Sequence, residues 1–303
     1  MVKLPVGVDI NNLIDDLRIF SWEAADILLY YAQKLKNSDQ KNKIIKNTDI
    51  KDPVTIADLE VNDLILKRMK EKYHNINWKY LSEENAKINL INNLEIDSEW
   101  LWILDPLDGT KDFIQGTGDY AMHFALNHEK KPVIGVVLIP EKDELWISNG
   151  TNTWCEKRDN SKYSLDLYLK KDFSEMRVVT SKNHNNQTLK SLIDRIQFKE
   201  IIEMGSVGCK IASIIRGDSD VYICLSLPGG GSPKDWDFAA PEAILNAAGG
   251  RITKIDNGSL IYGQVGFEQG GLIIASNNHK RHKEICLQIK EIIEKENNIS
   301  INF

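Results

Sequence analysis

The residues of greatest chemical interest are two aspartates three positions apart, Asp105 and Asp108, in the run Asp-Pro-Leu-Asp-Gly-Thr. An apolar run of strand length, residues 100–104, precedes them, and the proline between them favours a turn, so both carboxylates can converge on one point. Carboxylates and water are the ligands that Mg²⁺ prefers. Gly109 would let a phosphate approach the backbone, and a helix that begins near Thr110 would offer it free N–H groups. Alone, this motif is more typical of a surface turn.

Three other segments carry acidic residues that could join this pair. Asp58 ends the segment 52–58, Glu83 and Glu84 follow a short predicted strand, and Asp237 lies in the run Trp-Asp-Phe-Ala-Ala. Each has a structural alternative: a helix surface charge, a helix start and a helix N-cap, respectively. For each segment taken alone, the structural alternative is the more common. The joint occurrence of all these acidic segments in one chain favours a shared metal site.

Together and in this order, the acidic segments resemble the inositol monophosphatase superfamily, whose members are lithium-sensitive, metal-dependent phosphatases. The resemblance runs from residue 52 to about residue 250, and the D-P-x-D-G-T and W-D-x-A-A runs are its specific motifs. It implies an α/β fold, of the layered α+β kind, in which helix and sheet layers alternate.

The resemblance also implies a role for each residue of the set. It implies two Mg²⁺ ions with these ligands: Glu83, Asp105 and the backbone carbonyl of Leu107 at the first, and Asp105, Asp108 and Asp237 at the second. Asp58 and Thr110 would orient and deprotonate the attacking water as catalytic residues. Such a pair of ions suits an in-line displacement, because one generates the nucleophile and the other stabilises the leaving oxygen.

The residues after the glycine-threonine pair bear on the substrate. Lys111-Asp-Phe resembles the nucleotide-phosphatase branch of the superfamily, whereas inositol phosphate enzymes usually carry Thr-Asn-Phe. The run Gly-Ser-Val-Gly-Cys-Lys at 205–210 resembles that branch's nucleotide-holding segment. The implied substrate contacts are Gly109, Thr110, Lys111, Ser206 and Lys210. Lysine is a common phosphate binder, although a solvated helix face is an equal alternative for Lys210.

The implied substrate is a small nucleotide bisphosphate, 3′-phosphoadenosine 5′-phosphate, which would give AMP and phosphate in sulfur metabolism. Two alternatives remain open. One is a superfamily phosphatase that acts on inositol monophosphate or a sugar bisphosphate. The other, of a different class, is a non-catalytic sensor that binds a nucleotide or a metal. The sensor predicts a broken metal set, whereas all the carboxylates named above are present.

The hydrophobic pattern predicts the elements that must position these residues. Helical spacing of apolar residues predicts helices over 10–36, 56–72, 187–196, 208–216, 238–248 and 281–297. Short apolar runs predict strands over 78–81, 100–104, 120–127, 132–139, 144–147, 153–156, 176–180, 221–225 and 271–275. The alternation of strands and helices favours an α/β fold. We expect residues 1–165 to carry most metal ligands and residues 166–303 to add Asp237 and substrate contacts, as one catalytic unit.

Composition excludes several other classes. The chain has 303 residues and a formal net charge of −6, which argues weakly against a nucleic-acid polymer as partner. No run approaches the ~18 apolar residues that a membrane span needs, and no signal-peptide core is present, so we expect a cytoplasmic monomer or homodimer. The four cysteines are scattered, which predicts free thiols. His279 and His282 flank Lys280-Arg281 and are expected on a wet surface.

Overall fold

The structure is a computed structural model that describes residues 3–37, 41, 43–47, 54–86, 95–164, 171–183, 186–226 and 232–295. The helices are α1 (Ile10–Leu35), α2 (Ile56–Lys72), α3 (Thr110–Gln115), α4 (Gln187–Ile196), α5 (Val207–Arg216), α6 (Asp235–Ala247) and α7 (His279–Glu294). The strands of the first half are β1 (Ile45–Asn47), β2 (Val54–Thr55), β3 (Lys79–Ser82), β4 (Trp100–Asp108), β5 (Ala121–His128), β6 (Lys131–Ile139), β7 (Glu144–Ser148), β8 (Thr153–Glu156) and β9 (Lys162–Tyr163). Those of the second half are β10 (Arg177–Ser181), β11 (Glu200–Met204), β12 (Val221–Ser226), β13 (Arg251–Lys254) and β14 (Gly271–Ser276).

The larger sheet contains seven strands in the order β3-β4-β5-β6-β7-β8-β9. Its apolar runs are continuous because both faces are covered. Trp102 and Leu104 of β4 pack with α1 and α2, whereas the alternate residues Leu101 and Ile103 pack with α5 and α6. Alternate side chains of this one strand therefore contribute to two separate hydrophobic cores.

The smaller sheet contains five strands in the order β11-β10-β12-β14-β13, and β10 is parallel to both of its neighbours. Val179 and Tyr222 face the core shared with α5 and α6, while Val178 and Ile223 face α4 and α7. The α5–α6 layer therefore lies between the two sheets. This order of helix and sheet layers confirms the predicted α/β fold.

The boundary predictions were wrong in two places near the acidic residues. Strand β4 does not end at residue 104 but continues to Asp108, and its pairing shifts between Asp105, opposite His123, and Asp108, opposite Ala121. This bulge lets a strand accommodate the proline that the sequence suggested would end it. Helix α6 begins at Asp235, three residues earlier than predicted.

Other differences lie in the second half of the chain. Strands β11 and β13 were not predicted, and β11 is a short edge strand, Glu-Ile-Ile-Glu-Met, whose mostly exposed residues do not alternate between apolar and polar. The surface position expected for His282 was wrong: the ring is 1% exposed and bonds the hydroxyls of Thr253 and Ser276. Residue 52, where the resemblance begins, and the end of the predicted helix at 296–297 lie outside the described residues.

Two further expectations concern membranes and thiols. Among the described residues, no helix combines the length and the apolar character required to span a bilayer. All four cysteines are free, as predicted, and three of them are buried.

Candidate active site

Three aspartates from two distant parts of the chain converge beside the end of β4. Each of these residues, Asp105, Asp108 and Asp237, has one carboxylate oxygen that lies within 4.8 Å of the corresponding oxygens of the other two. Asp105 is 2% exposed, and the bulge in β4 brings Asp108 to the same side. Asp237 arrives from the first turn of α6, where its carboxylate accepts a 2.6 Å hydrogen bond from the Lys234 backbone N–H.

The electrostatics of this acidic cluster, Asp105, Asp108 and Asp237, are unfavourable without a cation. Burial first, and then the charges of Glu83 and Asp108, raise the pKa of Asp105 well above its usual value. Burial, followed by the charge of Asp108, raises the pKa of Asp237 to about 7. Three converging carboxylates form an all-oxygen donor set. Such a set fits a hard divalent cation such as Mg²⁺ better than a thiophilic metal.

Glu83 and Leu107, the other two expected metal ligands, lie next to the cluster. The Glu83 backbone N–H donates to the carbonyl of Leu104 at 3.1 Å, which fixes the turn after β3 against β4. The carbonyl of Leu107 accepts a 3.0 Å hydrogen bond from the Thr110 hydroxyl, and the Leu107 N–H donates to Asp105 Oδ1 at 3.0 Å. All five expected ligands therefore belong to one connected region.

Asp58 and Thr110 form a second feature of the site. Asp58 is 2% exposed and lies in the first turn of α2, where its Oδ2 accepts from the Thr55 N–H and hydroxyl in a capping box. Its other oxygen, Oδ1, is 3.5 Å from the Thr110 hydroxyl. Burial raises the pKa of Asp58 to about 7, although the bonds from Thr55 oppose the shift. A carboxyl with this pKa can exchange a proton near neutral pH.

The turn between β4 and α3 requires a glycine. Gly109 has φ +88°, and a Cβ at this position would lie 2.7 Å from the carbonyl oxygen of Asp119. Helix α3 begins at Thr110, as the sequence suggested, and partly exposed Lys111 is its second residue. This glycine turn therefore leaves the first N–H groups of α3 beside Asp108.

Ser206 and Lys210, the expected substrate contacts from the second half, are both buried. Ser206 caps α5, and its hydroxyl donates to Asp108 Oδ2 at 2.6 Å; the Val207 N–H bonds the same oxygen. Lys210 is 2% exposed, its ammonium donates to the carbonyl of Gly205, and burial lowers its pKa against the opposing charge of Asp108. The alternative of a solvated helix face for Lys210 is therefore wrong.

Two residues near the cluster were not among the predicted site residues. His123 is fully buried behind Asp108, with Nε2 3.4 Å from Oδ2 of that carboxylate. Asp112 is also fully buried and accepts from Thr117, Lys182 and Asn183. Asp112 follows Lys111 in the motif and could have been suspected, whereas nothing in the local sequence marks His123.

The chain is similar in sequence to known proteins. The model of the inositol monophosphatase family matches residues 15–294. A 3′(2′),5′-bisphosphate nucleotidase CysQ of Buchnera aphidicola is 32% identical over 236 residues, which cover 77% of this chain and 80% of that protein.

Solved structures of the same fold are also similar. CysQ of Bacteroides thetaiotaomicron is 25% identical, with a TM-score of 0.65 over 84% of this chain and 94% of its own. The extragenic suppressor protein suhB of Bartonella henselae has a TM-score of 0.69 at 20% identity, and the alignment covers 95% of this chain and all of its own. The chain belongs to the inositol monophosphatase family and is a phosphatase.

Proposed function

We propose that this phosphatase is a Mg²⁺-dependent enzyme that removes the 3′-phosphate from 3′-phosphoadenosine 5′-phosphate, giving AMP and phosphate. The observation that carries the proposal is the convergence of Asp105, Asp108 and Asp237 beside the Asp58–Thr110 pair. The substrate assignment is supported by the nucleotidase name of the 32% identical relative and by the Lys-Asp-Phe run after Thr110.

The oxygen donors gathered at the acidic cluster and beside it would hold the Mg²⁺ ions. Glu83, Asp105 and the carbonyl of Leu107 would hold one Mg²⁺, and Asp105, Asp108 and Asp237 a second. Two bound ions supply activation of a water molecule and stabilisation of the leaving oxygen. The raised pKa values of Asp105 and Asp237 support this assignment, because a cation would favour their ionised forms.

Asp58 and Thr110 would handle the proton of the attacking water. The Thr110 hydroxyl is within reach of both the carbonyl of Leu107 and Asp58; turned toward Asp58, it would pass its proton to that carboxylate while its oxygen takes one from the water. Asp58 Oδ1 lies 3.5 Å from the same hydroxyl. Because the pKa of Asp58 is about 7, its carboxylate can take up a proton at neutral pH and release it afterwards.

The substrate's phosphates would meet the start of α3 and the start of α5. The N–H groups that follow Gly109, together with the Lys111 ammonium, suit the phosphate that is cleaved. Ser206 would act by fixing Asp108, to which its hydroxyl donates, and Lys210 would supply positive charge behind the site. Asp237 and Ser206 come from residues 166–303, so both halves of the chain would form one catalytic unit.

The proposed cellular role follows from the substrate. Sulfate transfer from an activated donor leaves 3′-phosphoadenosine 5′-phosphate as by-product, so the enzyme would clear it in sulfur metabolism, in the cytoplasm.

Phosphate release from three substrates tests the proposal. Purified protein is assayed with 3′-phosphoadenosine 5′-phosphate, inositol 1-phosphate and fructose 1,6-bisphosphate, each with Mg²⁺ and with chelator. We expect kcat/KM for the nucleotide to exceed the others by at least about 10-fold, or about 1.4 kcal/mol. Comparable values, or a preference for inositol phosphate or the sugar, would contradict the nucleotide assignment. Release from none of them would favour a sensor.

A further inference from the structure

His123 lies directly behind the acidic cluster and contacts every element that carries it. In strand β5 it is paired opposite Asp105 of β4. Its Nε2 is 3.4 Å from Asp108 Oδ2, and its Nδ1 is 3.3 Å from the carbonyl of Trp236, the residue that precedes Asp237. One side chain therefore touches the supports of all three carboxylates.

The packing around His123 leaves space for an imidazole and little else. A Cβ on Gly208, in the first turn of α5, would lie 2.2 Å from His123 Nε2. Because Gly208 has no side chain, α5 approaches closely enough for Ser206 and Val207 to bond the same Asp108 oxygen that His123 faces. The ring is fully buried, and its Nε2 has no hydrogen-bond partner among the described residues.

These contacts all concern Oδ2 of Asp108, which faces His123 and the start of α5. Groups that hold one oxygen of a metal-ligating carboxylate fix the direction of the other oxygen, and their loss typically weakens metal binding by about 10–100-fold. The three elements at His123 can otherwise shift independently, since β4, α5 and α6 are far apart in the chain.

We propose that His123 is a positioning residue of the metal centre. Its ring sets the spacing between the Asp108 carboxylate and the first turn of α6, so that Asp237 remains within reach of the cation held by Asp105 and Asp108. The inference rests on the proposed metal centre and extends it to a residue that does not itself ligate the metal.

Mg²⁺ affinity measured by calorimetry on the substrate-free protein tests this role. We expect His123→Ala to weaken Mg²⁺ binding by about 10-fold or more, while kcat at saturating Mg²⁺ falls by less than about 3-fold because the ligands themselves remain. His123→Asn, which keeps a side-chain donor in the same place, should recover most of the affinity and serves if the alanine variant does not fold.

His282→Ala is the matched control, because it removes another buried histidine, bonded to Thr253 and Ser276. It should lower the melting temperature and leave Mg²⁺ affinity unchanged. Wild-type affinity in both His123 variants would overturn the proposal, as would an equal loss of affinity in His282→Ala.

The result also separates this inference from the proposed function. Wild-type protein that binds Mg²⁺ but releases no phosphate from the nucleotide would contradict the function, while loss of affinity in His123→Ala would still support the positioning role. Wild-type protein that binds no Mg²⁺ would overturn both.

Discussion

Buried carboxylates occur in two kinds of surroundings in this protein. At Glu156, burial alone would raise the pKa, yet hydrogen bonds from Arg18, Lys162 and Trp154 lower it to about 2. Asp220 is likewise bonded by Lys171 at 2.7 Å and by two backbone or amide N–H groups. In the acidic cluster the nearest charges are other carboxylates.

The contrast separates carboxylates that stabilise the fold from carboxylates that destabilise it. A buried acid that is paired with cations inside the chain is a structural element, whereas converging acids, two of them with raised pKa values, are typical of a functional site. Under the proposed function, the cluster would obtain most of its compensating charge from a bound cation, and this requirement would couple its chemistry to metal binding.

The largest effect is expected from removal of one charge of the cluster. Asp108→Asn and Asp237→Asn should each lower kcat/KM by about 10³-fold or more, or about 4 kcal/mol, because a metal ligand is lost. The metal-free melting temperature should stay the same or rise, since repulsion is relieved. Phosphate-release kinetics measure kcat/KM, and calorimetry measures the melting temperature. Asp218→Asn, at an exposed acid paired with Arg216, is the control, and wild-type turnover in either cluster variant would contradict the ligand set.

The opposite pattern is expected at the paired carboxylate. Glu156→Gln removes the carboxylate that pairs with Arg18 and Lys162, although Arg18 keeps Asp15 as a partner, and should lower the free energy of unfolding by about 1–2 kcal/mol. Turnover per folded molecule should be unchanged. Denaturant unfolding measures the loss of stability, and an activity assay measures kcat. A lower kcat in this variant would show that Glu156 and the acidic cluster are not independent.

The stability of the metal-free protein should depend on pH through Asp237. The folded pKa of Asp237 is about 7 and the unfolded value is about 4. The stability that this group contributes is therefore fully present below about pH 4 and is lost as the pH rises through 7. Wild-type protein in chelator should lose at least about 2 °C of melting temperature relative to Asp237→Asn between these limits. Parallel curves would contradict the raised pKa.

The smallest effect is expected at Asp112, a buried acid that is paired but lies one turn from the cluster. Its bonds to Lys182 and Asn183 tie α3 to the loop after β10. Asp112→Asn should raise KM by about 3-fold, or about 0.7 kcal/mol, with little change in kcat, because the loop shifts while the ligands remain. Steady-state kinetics measure both constants, and a loss confined to kcat would contradict this reading.

The sequence predicted the acidic cluster better than its surroundings. Asp105, Asp108 and Asp237 could be named because their residue types and flanking motifs are local features. The bulge that carries β4 past residue 104 depends on pairing with β5, which no local pattern specifies. Burial of Lys210 and His282 depends on packing between elements, so both were expected at the surface or left open. His123 became visible only once its strand was paired with β4.

Anomalous diffraction from crystals grown with Mn²⁺ in place of Mg²⁺ would show whether the acidic cluster binds a metal ion. The prediction is a strong peak bounded by the carboxylates of Asp105, Asp108 and Asp237, with a second peak near Glu83 and the carbonyl of Leu107 when phosphate is added. Crystals at full Mn²⁺ occupancy elsewhere but with no peak among the three aspartates would contradict it.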